Sequence, residues 1–164
     1  MNEEQIDKLK KIRIIATDVD GVLTDGGMYY TKEGDIMKKF NARDGMSLTR
    51  MREDGYKIAI ITGEENEMVV KRAEKLKVEE VYLFSRDKVA KAADLLSKYS
   101  MGFEELLYIG DDWLDVELMK KCGFSCAPAD AMDWAKDAAD YVCRRNGGAG
   151  VIGEVYGLLL EARK

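Results

Sequence analysis

Apolar residues follow two patterns along the chain, and together these predict strands that alternate with helices. Short, nearly continuous apolar runs predict strands buried on both faces; they fall at residues 12–17, 57–61, 81–84, 106–109, 124–127 and 140–143. Between them, apolar residues at helical spacing predict helices at 3–11, 44–54, 65–77, 86–98, 113–121, near 130–138 and from about 150. This alternation is typical of an α/β fold with a doubly wound, mostly parallel sheet.

Two segments depart from the alternation. GMYYT and IMKKF flank the sequence KEGD, where Gly34 suits a tight turn, so a β-hairpin insertion is predicted at about residues 27–40. The segment 144–164 begins with a glycine-rich stretch and is predicted to form a C-terminal tail that ends in a helix. A chain of 164 residues suits one domain, so residues 1–164 are expected to form a single unit.

Composition narrows the kinds of partner. The formal net charge of −5 argues against nucleic acid, which needs a basic face. No apolar run has the length of a membrane span, and the N-terminal sequence lacks the apolar core of a signal peptide. The three cysteines form an odd set and are interpreted as reduced, buried thiols rather than zinc ligands. We therefore expect a cytoplasmic protein that binds neither nucleic acid nor membrane.

The chain contains no histidine, which restricts the chemistry available to it. Ser-His-Asp triads, phosphohistidine mechanisms and histidine-ligated zinc are excluded together. Any catalysis must depend on carboxylates, hydroxyls, lysine, arginine or a hard metal ion.

Residues of this kind follow the predicted strands, at the edge where ligands bind in parallel sheets. They are Asp18 and Asp20 after the first strand, Thr62 and Gly63 after the second, Lys88 at the start of a helix, and Asp111, Asp112 and Asp115 after the strand 106–109. Each of these groups alone is common in loops and at helix N-termini of proteins, where it has only a structural role. Their common position at one sheet edge favours a functional site.

Phosphoryl transfer would use such a set. An ionised aspartate can attack phosphorus, and a second carboxyl two residues away can protonate the leaving oxygen. Attack of one anion on another needs counter-charge, and oxygen ligands favour Mg²⁺, for which Asp18, Asp111 and the backbone carbonyl of residue 20 are candidates. The Thr62 hydroxyl and the Lys88 ammonium would hold the transferring group.

The motifs DVDGVLTDG, ITG, DK and GDDxxD, in this order, resemble those of the haloacid dehalogenase superfamily over nearly the whole chain. The resemblance implies that Asp18 is the nucleophile, Asp20 the general acid and base, and Thr62, Gly63 and Lys88 the phosphate-binding residues. It further implies a Mg²⁺ site formed by Asp18, residue 20 and Asp111, with Asp112 and Asp115 in support. The second aspartate favours phosphatase rather than dehalogenase chemistry.

The spacing of the motifs leaves no room for a cap domain, and the hairpin and tail resemble a capless subgroup that hydrolyses phosphates of 2-keto-3-deoxy sugar acids. Members of that subgroup form tetramers in which hairpins build a central barrel and tails line a neighbour's site. The resemblance therefore implies a homotetramer, with residues 144–151 reaching a neighbouring subunit.

Two substrate readings stay open. FNARDG resembles the enzymes of octulosonate 8-phosphate, and Arg43 suits a sugar carboxylate through its forked donors. Glu64 and the run that follows it resemble enzymes of nonulosonate 9-phosphates, of the 2-keto-3-deoxynononate or N-acylneuraminate type. An Arg-to-Glu difference should redirect recognition, so the nine-carbon substrate is preferred and 3-deoxy-D-manno-octulosonate 8-phosphate is the alternative.

Two readings from other classes compete. A phosphoaccepting receiver domain also uses aspartates, a threonine, a lysine and Mg²⁺, but its phosphoacceptor follows the third strand, where this chain has only Ser85, Arg86 and Asp87. An inactive partner subunit is disfavoured by the intact Asp18, Asp20 and Asp111.

Overall fold

The computed structural model describes all 164 residues and contains a six-stranded parallel sheet. Strands β2 and β3 form the hairpin described below. The strands of the sheet, in chain order, are β1 (Ile14–Thr17), β4 (Lys57–Ile61), β5 (Glu80–Tyr82), β6 (Leu106–Ile109), β7 (Phe124–Ala127) and β8 (Tyr141–Val142). The spatial order is β5-β4-β1-β6-β7-β8, and every pair is parallel. Strand β1 is central, and the chain reverses its direction of travel across the sheet there.

Seven helices cover the sheet: α1 (Glu3–Lys11), α2 (Ala42–Glu53), α3 (Glu67–Leu76), α4 (Lys88–Tyr99), α5 (Val116–Lys121), α6 (Asp133–Ala138) and α7 (Val151–Ala162). Successive residues of β1 point to opposite faces. Ile15 packs in the larger core with residues of α1, α2, α3 and α7, whereas Ile14 packs in the smaller core with residues of α4, α5 and α6. The predicted doubly wound α/β fold is confirmed.

Side-chain caps explain where two helices begin later than the apolar pattern predicts. Asn66 accepts a hydrogen bond from the Met68 backbone, so α3 starts at Glu67 rather than at residue 65. Asp87 accepts from the Ala90 backbone, and α4 therefore starts at Lys88. The predicted helix 113–121 opens as a single 3₁₀ turn over Trp113–Asp115.

The hairpin consists of β2 (Tyr29–Thr31) and β3 (Gly34–Met37), which pair antiparallel as a separate ribbon. Gly34 lies at the turn with φ +115°, a value that favours glycine. The apolar side chains of the ribbon are exposed on this chain, among them Met28, Tyr30, Ile36 and Met37.

The segment 144–164 is a tail only in its first part. Gly148 donates its backbone N–H to Val22, so the glycine stretch lies against the loop that follows β1 of the same chain. From Val151 onward the residues form α7, whose apolar face is buried against α1 and α2. The predicted C-terminal helix from about residue 150 is thus present as α7, and it is part of the core.

None of the helices combines the length and the apolar character that a membrane span requires.

Candidate active site

A pocket of about 290 Å³ lies at the carboxyl ends of β1, β4 and β6. It brings together all the site residues predicted from the sequence except Arg43: Asp18, Asp20, Thr62, Gly63, Glu64, Lys88, Asp111, Asp112 and Asp115. Gly21, Gly26, Trp113 and Leu114 complete its wall. Three loops far apart in sequence thus form one polar site at the position expected for a parallel sheet.

Lys88 lies at the centre of the charge arrangement. Its side chain is 2% exposed, and its Nζ lies 2.9 Å from Asp18 Oδ2 and 2.5 Å from Asp115 Oδ1. Burial alone would lower the pKa of Lys88, but the two carboxylates outweigh burial and raise it. The ammonium therefore stays charged beside Asp18, where it can attract a phosphate group.

Asp115 holds the site together through both of its oxygens. Oδ1 accepts from Lys88 and from the Tyr108 hydroxyl at 2.6 Å, while Oδ2 accepts from the backbone N–H of Asp111 at 2.9 Å and of Asp112 at 3.1 Å. Tyr108 is fully buried in β6, and its hydroxyl was not singled out from the sequence because it stands within an apolar run. We therefore assign Asp115 to anchoring Lys88 and the loop after β6.

The carboxylate oxygens around Asp111 are suitable ligands for a hard cation. Asp18, Asp111 and Asp115 each offer an oxygen within 4.8 Å of the others, but the oxygens of Asp115 are already bonded. Asp111 Oδ1 is buried without a hydrogen-bond partner. Burial, followed by the charge of Asp18, raises the pKa of Asp111 to about 8; burial and Asp115 likewise raise the pKa of Asp18. A cation between Asp18 and Asp111 would satisfy the unpaired oxygen and relieve the repulsion.

Gly21 makes room for this arrangement. Its φ is +81°, and a Cβ built there would lie 1.9 Å from Asp111 Oδ2. Only glycine combines this backbone conformation with the close approach of the carboxylate.

Asp20 does not point its carboxylate at the other aspartates. It is paired with Lys38, whose Nζ lies 2.7 Å from Oδ1 and 3.0 Å from Oδ2, and it accepts from Thr24 Oγ1 at 3.2 Å. The Asp20 carboxylate is thus occupied by Lys38 and Thr24, and the backbone carbonyl of Asp20 stays the predicted metal ligand. Lys38 was missed in the sequence, where it is one of two adjacent hairpin lysines.

The loop after β4 supplies the remaining wall. Thr62 is buried, and its Oγ1 accepts weakly from the Glu64 backbone at 3.4 Å, which leaves the hydroxyl hydrogen available to a ligand. Gly63 packs closely against Leu114, since a Cβ there would lie 3.3 Å from a Leu114 methyl carbon. Glu64 is exposed at the rim, and its carboxylate forms no hydrogen bond or ion pair within the chain.

Arg43 does not line this pocket, and its assignment as a substrate-binding residue stays a prediction. It lies in a separate groove of about 590 Å³ with Arg144, Arg145 and Glu154. The reason is the packing of α2 against α7: the neighbouring Asp44 accepts from the backbone N–H groups of Gly150 and Ile152 at 3.0 Å. This contact turns the first turn of α2 toward the start of α7.

This fold and this cluster of carboxylates around a buried lysine place the chain in a known class. Residues 80–154 match the haloacid dehalogenase-like hydrolase family, and the chain belongs to that family. It is 38% identical over 163 residues to the 3-deoxy-D-manno-octulosonate 8-phosphate phosphatase of Escherichia coli K12, covering 99% of this chain and 87% of that relative.

Solved structures agree. The 3-deoxy-D-manno-octulosonate 8-phosphate phosphatase of Yersinia pestis superposes with a TM-score of 0.95 at 35% identity, covering 99% of this chain and 88% of that one. The corresponding enzyme of Moraxella catarrhalis, solved with magnesium, phosphate and KDO, gives 0.95 at 33%, covering 99% and 93%. These matches confirm the superfamily, the phosphatase class and the magnesium cofactor predicted from the sequence. They leave the receiver-domain and inactive-subunit readings without support.

Proposed function

We propose that this protein is a Mg²⁺-dependent phosphatase of 3-deoxy-D-manno-octulosonate 8-phosphate that works through an aspartyl-phosphate intermediate. The observation that carries the proposal is the grouping of Asp18, Lys88 and the unpaired Asp111 oxygen in one pocket. The names of the relatives supply the substrate.

Each residue has a part in the proposed reaction. Asp18 attacks phosphorus through a carboxylate oxygen and forms the phosphoenzyme, which water then cleaves. Lys88 and the Thr62 hydroxyl donate hydrogen bonds to the phosphoryl oxygens as charge builds on them. Asp20 gives a proton to the leaving sugar oxygen and later takes one from the attacking water. The carboxylates of Asp18 and Asp111 and the carbonyl of Asp20 would hold Mg²⁺, which supplies counter-charge for the phosphate.

The eight-carbon substrate replaces the nine-carbon preference drawn from the sequence. That preference depended on Glu64, whose carboxylate is exposed at the rim of the pocket. The field of an exposed charge is weakened by solvent and salt, so a single such residue is a poor basis for choosing a substrate. The relatives described above are all named for the eight-carbon substrate.

A comparison of kcat/KM for octulosonate 8-phosphate and a nonulosonate 9-phosphate, measured by phosphate release, tests the proposal. We expect the eight-carbon ester to be preferred. If Glu64 contacts substrate, Glu64→Arg changes the ratio of the two kcat/KM values by a factor that corresponds to about 1–3 kcal/mol. The control Glu65→Arg, in the same exposed loop, leaves this ratio unchanged. A wild-type preference for the nine-carbon ester would overturn the substrate assignment and retain the phosphatase.

We also propose that the protein forms a homotetramer through its hairpins. The support is the exposed apolar surface of the hairpin, where Met28 is 57%, Tyr30 64% and Ile36 58% exposed. Such faces are typical of surfaces that bind other proteins. Sedimentation of the wild type should give a tetramer, and charged residues at Tyr30 and Ile36 should dissociate it. A wild-type monomer would contradict the proposal.

A further inference from the structure

Lys38 is buried to an extent that is unusual for lysine. It follows β3 in the hairpin, and its side chain is only 2% exposed. Its ammonium lies 2.7 Å from Asp20 Oδ1 and 3.5 Å from Asp35 Oδ2. Removing an ammonium from water is costly unless it is paired, so these two carboxylates determine where the Lys38 side chain lies.

The contact also fixes the carboxylate of Asp20. Asp20 Oδ1 accepts from both Lys38 and the Thr24 hydroxyl, at 2.7 and 3.2 Å. Asp20 Oδ2 has only the longer contact to Lys38, at 3.0 Å. Lys38 therefore holds both oxygens of Asp20, and Thr24 adds a second donor to Oδ1.

The lysine is itself held in place by the rest of the site. Asp35, its second partner, accepts a hydrogen bond from the Asn66 side chain at 3.0 Å. Asn66 also caps α3, in the segment that continues from Thr62 and Gly63. Through these contacts the hairpin connects the loop after β1 to the loop after β4.

We propose that Lys38 is a positioning residue: through hydrogen bonds to both carboxylate oxygens it holds Asp20 in the wall of the pocket, where Asp20 acts on the leaving oxygen of the substrate. The inference rests on the proposed function of the site. When the phosphorus–oxygen bond of the ester breaks, a proton passes from the Asp20 carboxyl to the sugar oxygen. In the second half of the reaction, the Asp20 carboxylate takes a proton from the water that attacks the aspartyl phosphate. Lys38 keeps its own proton throughout.

The test compares two esters in Lys38→Met. A sugar-acid phosphate needs its leaving oxygen protonated, whereas 4-nitrophenyl phosphate scarcely does, because nitrophenolate is a good leaving group. We expect kcat for the sugar ester to fall about 10- to 100-fold, the range for losing a hydrogen bond to a charged group. The kcat for the nitrophenyl ester and both KM values should stay close to wild type. Lys39→Met is the matched control, since Lys39 pairs with the exposed loop residue Asp25.

A double variant separates positioning from a structural role. If Lys38 acts through Asp20, adding Lys38→Met to Asp20→Asn should cause no further loss on the sugar ester. A further loss, an equal fall with both esters, or unchanged kcat in Lys38→Met would each overturn the inference. A wild-type protein that hydrolyses neither ester would instead refute the proposed phosphatase.

Discussion

Replacing Gly21 with alanine should weaken metal binding while leaving the fold intact. The new Cβ would lie 1.9 Å from Asp111 Oδ2 and 2.5 Å from its Cγ. These atoms belong to a side chain that can rotate, so the overlap is relieved by moving the Asp111 carboxylate rather than the backbone. The relief removes Asp111 from the place where it faces Asp18.

The cost to folding comes mainly from the backbone. A non-glycine residue in the left-handed region costs about 1–2 kcal/mol, which lowers Tm by about 2–8 °C for a chain of this size. Gly55 provides the matched control, because its φ is +93° and a Cβ there would meet nothing within 4 Å. Gly55→Ala should therefore lose similar stability without disturbing the site.

The two variants should differ in their response to Mg²⁺. Changes to residues that orient a metal ligand typically reduce affinity about 10- to 100-fold, and we expect this range for Gly21→Ala. The Mg²⁺ concentration for half-maximal activity measures it, together with the rise in Tm on adding Mg²⁺. Equal Mg²⁺ dependence in Gly21→Ala and Gly55→Ala would refute the argument that the Gly21–Asp111 approach shapes the cation site.

Asp18→Asn should abolish turnover, because an amide neither attacks phosphorus nor carries charge; more than a few per cent of wild-type activity in a phosphate-release assay would exclude Asp18 as nucleophile. The stability of the metal-free protein should depend on pH through Asp111, whose pKa is raised to about 8 from 3.8. A raised carboxyl pKa stabilises the fold below the unfolded value and loses that contribution as pH rises toward the folded value. The increase in Tm on adding Mg²⁺ should therefore grow between about pH 4 and about pH 8, and an increase independent of pH would contradict the assignment.

The sheet and most of the pocket were predictable from sequence because both depend on local patterns. Apolar runs locate the parallel strands, and the residues after them must meet at the carboxyl edge. Asp18, Thr62 and Asp111 were placed correctly for this reason, although they are far apart in the chain.

What could not be predicted depends on packing between distant segments. Lys38 and Lys39 are adjacent and chemically identical, yet one is buried against Asp20 and the other is exposed. Arg43 lines a separate groove, beside the contact of Asp44 with the start of α7, and the local sequence pattern does not predict that contact. The role of the Tyr108 hydroxyl depends on the hydrogen bond that it donates to Asp115, which lies beyond the end of β6.

The position of β1 in the sheet has a consequence for how the protein folds. Strand β1 pairs with β4 on one side and with β6 on the other, so both partner strands are synthesised well after β1. Parallel pairings between distant segments must close large loops before they gain contacts, and they form slowly. During synthesis, Asp18 therefore cannot pair with Asp111 until the residues after β6 have been made. A chain that ends before β6 lacks Asp111 and so has no cation site. Hydrolytic activity should be among the last properties that the folding chain acquires.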